Sequence, residues 1–173
     1  MPRIMIADDD VTIQMELEEY LDHMNYNVVG VADNGDMAVT MARDLKPDLI
    51  LMDVVMPGGI DGISAAQEIK EELDAAVVFI TGFGDPEYIE RAKLVEPFGY
   101  VMKPFDEKEI SAAVEIALYK RETELKLIKA HEDLERANLI LHEEIATRKK
   151  TERAARESEK LYRNIFEKNK AMK

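Results

Sequence analysis

Five short runs of branched and apolar residues recur along this chain, and a stretch with helical spacing of its apolar residues separates each from the next. That alternation leaves few folds open. The runs cover residues 4–7, 27–32, 49–53, 76–81 and 100–102, and each reads as a buried strand. Between them, Ile13, Leu17, Tyr20, Leu21 and Met24 mark one helix and Met37, Ala38, Met41, Ala42 and Leu45 a second. A third is expected over 61–73, a short fourth over 86–95, and a fifth from about Asp106. Strict alternation implies parallel strands joined by right-handed crossovers with helices on both faces, a doubly wound α/β sandwich.

Ligands of such sheets bind beyond the carboxyl ends of the strands, so the strand-end residues are the ones to read. Strand one runs into Asp8-Asp9-Asp10, strand three ends in Asp53, strand four in Thr81, and strand five leads to Lys103-Pro104. Asp10 precedes the apolar periodicity and suits the N-cap of the first helix. The other carboxylates, converging in a partly desolvated site, would repel one another unless a hard divalent cation with oxygen ligands joined them, Mg²⁺ being the natural candidate. With that cation in place Asp53 is an oxygen nucleophile. Lys103 can then neutralise a phosphoryl oxygen, and the Thr81 hydroxyl can bond another.

This ordered set of acidic pair, Asp, Thr and Lys-Pro resembles the response-regulator receiver family over about residues 2 to 119. The resemblance implies a flavodoxin-like fold with a five-stranded parallel sheet and a role in phosphorelay signalling. By the same likeness Asp8 and Asp9 are the acidic pair, Asp53 the phosphoacceptor, and the backbone carbonyl of Val55 completes the Mg²⁺ shell. Thr81 is the switch hydroxyl, Tyr100 the switch aromatic, and Lys103 the phosphoryl-stabilising lysine. The phosphodonor would be a sensor histidine kinase or a phosphotransfer protein, and the chain would have no enzymatic activity beyond its own phosphorylation and dephosphorylation. The segment from Met56 to Gly62 is one residue longer than the commoner loop of this family, and its glycines are expected to absorb the insertion without moving Asp53. Val55 and Phe83 are less polar than many receivers show at those places, which suggests restricted water access and a long-lived acyl phosphate.

Two other functions compete. Asp8-Asp9-Asp10-Val11-Thr12 also resembles the Asp-X-Asp-X-Thr nucleophile motif of haloacid dehalogenase phosphatases, although no further acidic motif of that family follows Lys103 and no room exists for a cap domain. A receiver fold that no longer switches would be a scaffold, but the intact Asp, Thr and Lys set argues against it.

Charge divides the chain in two. Residues 1–119 carry 25 Asp and Glu against 8 Lys and Arg, while residues 120–173 carry 11 against 15. An acidic head repels phosphate backbones, so nucleic acid is not an expected partner. No apolar run reaches the roughly 20 residues of a membrane span, and neither a signal peptide nor any Cys is present, so membrane contact is not expected and a cytoplasmic location is.

After Lys120 neither Gly nor Pro occurs, and Glu, Lys, Arg, Ala and Leu dominate. Residues 120–173 therefore read as a separate helical segment, about 80 Å long if fully helical. Val114, Leu118, Arg121, Leu125 and Ile128 step by four and three, and Leu134, Asn138, Leu141 and Ile145 resume after a shift near His131. This broken heptad seam predicts a coiled-coil homodimer in which Asn138 sets the register. The alternatives are a solvated helix or one docked on its own receiver. His131 and His142 lack the surroundings of a phosphodonor histidine. The stretch from Glu144 to Glu167 resembles the linkers that lead into PAS sensor domains, so the chain is expected to be part of, or a shortened relative of, a multidomain signalling protein such as a sensor histidine kinase.

Overall fold

The computed structural model describes residues 1–82 and 86–171. Ten elements alternate without exception: β1 (Arg3–Ala7), α1 (Val11–His23), β2 (Asn27–Ala32), α2 (Gly35–Leu45), β3 (Leu49–Asp53), α3 (Gly62–Glu72), β4 (Ala76–Thr81), α4 (Pro86–Leu94), β5 (Gly99–Met102) and α5 (Glu107–Ala171). The strands form one sheet in the order β2-β1-β3-β4-β5, and every pairing is parallel. The fold is the doubly wound, flavodoxin-like one that the alternation implies, followed by a long C-terminal helix.

Both faces of the sheet are covered, which is why the strands read as continuous apolar runs rather than alternating ones. Met5, Ile50, Met52 and Phe79 point to one side, where they pack with Ala38 and Ala42 of α2, Ala66 and Ile69 of α3 and Ala92 of α4. Ile4, Ile6, Leu49, Leu51, Val78 and Ile80 point to the other, against Leu17 and Leu21 of α1 and Ile110, Val114 and Ala117 of α5. Successive strand residues thus serve opposite layers.

Helix starts are set by short polar side chains. Asp10 accepts from the Thr12 N–H at 2.8 Å, Asn34 from Met37 at 2.8 Å, and Asp61 from Ser64 at 2.8 Å. Asp106 and Glu109 each accept the other's backbone N–H, at 2.9 and 3.0 Å, a reciprocal cap that starts α5. The reading of Asp10 as a cap is therefore correct.

The chain divides into two compact units, Met1–Glu124 and Leu125–Lys173. In the first, α5 is tied to the amino-terminal ends of the strands. Arg121 donates from Nε to the Asp74 carbonyl at 2.8 Å and from Nη1 to Asp48 Oδ1 at 3.0 Å, while the other Asp48 oxygen accepts the Arg3 N–H at 2.8 Å. This corrects the expected seam. Val114 is fully buried, Leu118 packs against the same core, and Arg121 is engaged by Asp48 and Asp74, so these three residues serve the protein's own sheet. In the second unit the described residues are helical and exposed through Glu167. Among the described residues no helix is long and apolar enough to cross a membrane.

Candidate functional site

Adjacent strands end level with one another, which brings their last residues together. Ala7 pairs with Met52, Asp53 with Ile80, and Thr81 with Met102. Asp8, Asp53, Thr81 and Lys103 therefore follow from neighbouring strand ends at one edge. The Lys103 N–H continues the ladder to the Thr81 carbonyl at 2.7 Å, and the Lys103-Pro104 peptide is cis.

The Lys103 ammonium spans the two buried carboxylates, 2.7 Å from Asp8 Oδ2 and 2.5 Å from Asp53 Oδ2. Asp8 has no exposed surface and Asp53 retains 7%. Their second oxygens are held by the backbone: Asp8 Oδ1 accepts the Asp10 N–H at 2.9 Å and Asp53 Oδ1 the Val55 N–H at 3.0 Å. Asp9, by contrast, is exposed. One carboxylate oxygen from each of Asp8, Asp9 and Asp53 lies within 4.8 Å of the others.

Charge in this cup is unbalanced. Burial pushes the Asp8 carboxyl up, and the neighbouring Asp53 charge adds to that, while the Lys103 ammonium and the Asp10 N–H offset only part of it. Burial by itself would push Lys103 down, but Asp53 and Asp8 outweigh it and hold the ammonium above its ordinary range. Three carboxylates against one ammonium leave a net negative site with free oxygen lone pairs. A hard dication fits that donor set, and receiver domains bind Mg²⁺ through such acids.

Thr81 lies at the adjacent strand end, and its hydroxyl donates to the Gly82 carbonyl at 3.0 Å. Tyr100, on the edge strand, is 45% exposed, with its ring centroid 6.0 Å from that of Phe79. Phe83 lies outside the described residues. Asn138 is exposed on α5, and its carbonyl accepts from His142 Nδ1 at 2.8 Å. Asp10, the second acid of the phosphatase-like motif, caps α1, and Asp8, which would be that motif's nucleophile, is buried beneath Lys103.

Three supporting residues escaped the sequence reading. Gln14 donates from Nε2 to the Asp8 carbonyl at 2.6 Å, fixing the acidic turn from the first turn of α1. Gly62 opens α3 so close to the phosphoacceptor strand that a Cβ would stand 1.7 Å from the Asp53 carbonyl oxygen. Arg91 of α4 pairs with the α3 cap, Asp61, at 2.8 Å. Only Gly62 left a trace in the sequence, as the last residue of the lengthened loop. That loop turns through Gly58 at φ +114°, a conformation open to glycine.

Residues 4–115 match the model of the response regulator receiver domain. The chain is 39% identical over 152 residues to the transcriptional regulatory protein PdtaR of Mycobacterium tuberculosis, covering 88% of this chain and 70% of PdtaR. To the transcriptional regulatory protein ResD of Bacillus subtilis it is 32% identical over 134 residues, covering 75% of this chain and 52% of ResD. Its structure is similar to the signal receiver domain of a modulated diguanylate cyclase from Desulfovibrio desulfuricans, with a TM-score of 0.69 and 35% identity over 72% of this chain and 98% of that one. It is also similar to the N-terminal domain of a response regulator/sensory box/GGDEF three-domain protein from Carboxydothermus hydrogenoformans, with a TM-score of 0.66 and 32% identity over 71% and 98%.

Proposed function

The chain belongs to the response regulator receiver family, and from that premise we propose that Asp53 accepts a phosphoryl group from the phosphohistidine of a sensor kinase or phosphotransfer protein. In the transfer an Asp53 oxygen attacks phosphorus, the N–P bond breaks, and the donor imidazole leaves. Asp8, Asp9, Asp53 and the Val55 carbonyl would hold Mg²⁺, which supplies charge neutralisation for the transferred group. Lys103, which bonds Asp8 and Asp53, would bond a phosphoryl oxygen, and Thr81 would turn from Gly82 to bond another. Tyr100 sits on the same edge and is 45% exposed, so a move of Thr81 would give it space to reorient. That change would pass to α5 and the segment 120–173, a coiled-coil homodimer in this reading, with Asn138 setting its register and a PAS domain beyond it. The receiver then occupies residues 1–119 and acts as a switch rather than as an enzyme.

The observation that carries this reading is Lys103 Nζ bridging Asp8 and Asp53, with Asp9 close enough to complete an acidic triad. Beryllium fluoride with Mg²⁺ is a phosphoryl mimic that tests it. The mixture should raise the melting temperature of the full chain, and Asp53→Ala should abolish the rise. A small phosphodonor should likewise label Asp53. Labelling at Asp8 would restore the phosphatase reading, and an unlabelled chain that ignores beryllium fluoride would be a scaffold.

A further inference from the structure

The loop that follows Asp53 closes back on its own start. Val54 donates its N–H to the Ile80 carbonyl, and the Gly62 N–H returns to the Val54 carbonyl, each at 3.1 Å. Within this neck the Val55 N–H holds Asp53 Oδ1 at 3.0 Å. The first turn of α3, which seals the neck, is gripped from α4. Arg91 Nη1 lies 2.8 Å from Asp61 Oδ2 and Nη2 lies 3.4 Å from Ser64 Oγ, while Asp61 Oδ1 accepts the Ser64 N–H at 2.8 Å. Ala92 and Val95 share the core of Ile63 and Ile69, and at the far end of α3 the Lys70 ammonium donates to the Val95 carbonyl at 2.7 Å. Helix α4 thus has a fixed seat along α3. A cation beside a helix N-terminus opposes the helix dipole, so what favours Arg91 there is the Asp61 carboxylate rather than α3 as a whole.

We infer that Arg91 is a positioning residue of the phosphoacceptor site: through Asp61 it holds the start of α3, and with it the neck that presents Asp53 and Val55. The inference rests on the phosphoacceptor reading above. On the strand side the coupling has no slack, since Gly62 leaves no space for even a methyl group against the Asp53 carbonyl. A shift of the first turn of α3 therefore moves the strand end or breaks the Gly62 bond to Val54. On the α4 side both partners are partly shielded from water, the side chains of Arg91 and Asp61 being 40% and 25% exposed. Asp53 and the Val55 carbonyl are Mg²⁺ ligands in the reading above, so the Mg²⁺ requirement of phosphorylation is the property that Arg91 would set. Arg43 of α2 supplies a comparison on the same helix. It bonds Glu68 at 2.8 Å and both oxygens of Glu72 at 2.6 and 2.7 Å, gripping α3 in its second half, away from the neck.

Labelling of the full chain by acetyl phosphate over a Mg²⁺ series tests this. Arg91→Ala and Asp61→Asn should each raise the Mg²⁺ concentration for half-maximal labelling by about threefold to fivefold, the reach of a partly exposed ion pair, and the double variant should go no further than either. Arg91→Lys, which keeps the charge, should recover most of the loss, and Arg43→Ala should leave the Mg²⁺ requirement unchanged. The sign of the shifts separates positioning from simple charge. As charges near the site alone, Arg91→Ala would tighten Mg²⁺ binding and Asp61→Asn would weaken it, so shifts of opposite sign would overturn the inference. An unmoved Arg91→Ala, effects that multiply in the double variant, or an equal shift in Arg43→Ala would overturn it as well, with the phosphoacceptor reading left standing. An unaltered chain that acetyl phosphate fails to label at any Mg²⁺ concentration would remove that reading and this inference together.

Discussion

At the scale of single residues, the site is a matter of how many charges share a small buried volume. Two carboxylates without appreciable solvent meet one ammonium, and the surplus negative charge is what makes a dication welcome. Asp53 and Lys103 were legible as strand-end residues, but the Lys103 bridge to both acids was not, because a sequence gives no distances. The same holds for Asp61, expected as the start of the third helix and found as its cap, paired with Arg91. Burial alone would push the Asp61 carboxyl up, but Arg91 and the Ser64 N–H together outweigh it and hold it below the ordinary carboxylate range. A depressed folded-state pKa contributes stability that is present above the ordinary value of 3.8 and is lost as pH falls through the folded-state value. Asn keeps the cap but carries no charge, so Asp61→Asn isolates the ionic part. The melting temperature of the variant should lie below that of the unaltered chain at neutral pH, and the two should converge as pH drops below about 4. A gap that persists in acid would assign the effect to packing.

At the scale of elements, the helix limits were readable because capping is local chemistry between a side chain and backbone two or three residues on. Asp10, Asn34, Asp61 and Asp106 each cap a helix that begins at the next residue, and of these Asp10 reads as a cap from the sequence. What cannot be read locally is how near two elements approach. Gly62 is required because α3 starts against the Asp53 carbonyl, and a methyl group there must displace either α3 or the strand that presents the phosphoacceptor. Gly62→Ala should cost about 1 to 3 kcal/mol, the usual range for overpacking, and should also weaken the beryllium fluoride response. Among the described residues nothing stands within 4 Å of a would-be Cβ on Gly82, so Gly82→Ala should stay within about 0.5 kcal/mol of the unaltered chain. Urea denaturation of the two variants side by side checks both, and equal losses would refute the close-approach argument.

At the scale of the whole molecule, α5 is bound to the sheet as far as Arg121, and from Glu122 to Glu167 its residues are exposed. Heptad spacing alone carried the seam back to Val114, since a helix face that packs on a sheet and one that packs on another helix share nearly the same period. Cutting the chain after Glu124 keeps Arg121 and should leave the urea midpoint of the receiver unchanged. A cut after Lys120 removes the Arg121 bonds to Asp48 and Asp74 and should cost about 1 to 2 kcal/mol, the scale of charge-assisted bonds on a partly buried pair. Equal stability of the two fragments would show that the clamp contributes nothing. The sequence by itself determined the alternation of strands and helices, the strand-end identity of Asp8, Asp53, Thr81 and Lys103, and the Asp10 cap, because each depends on periodicity or on neighbours along the chain. Only the tertiary structure decided that Lys103 spans two acids, that Gly62 leaves no space for a side chain, and that Arg121 belongs to the sheet. Those facts depend on distances between residues on different elements, from 9 to 95 positions apart, which packing sets and no local pattern encodes.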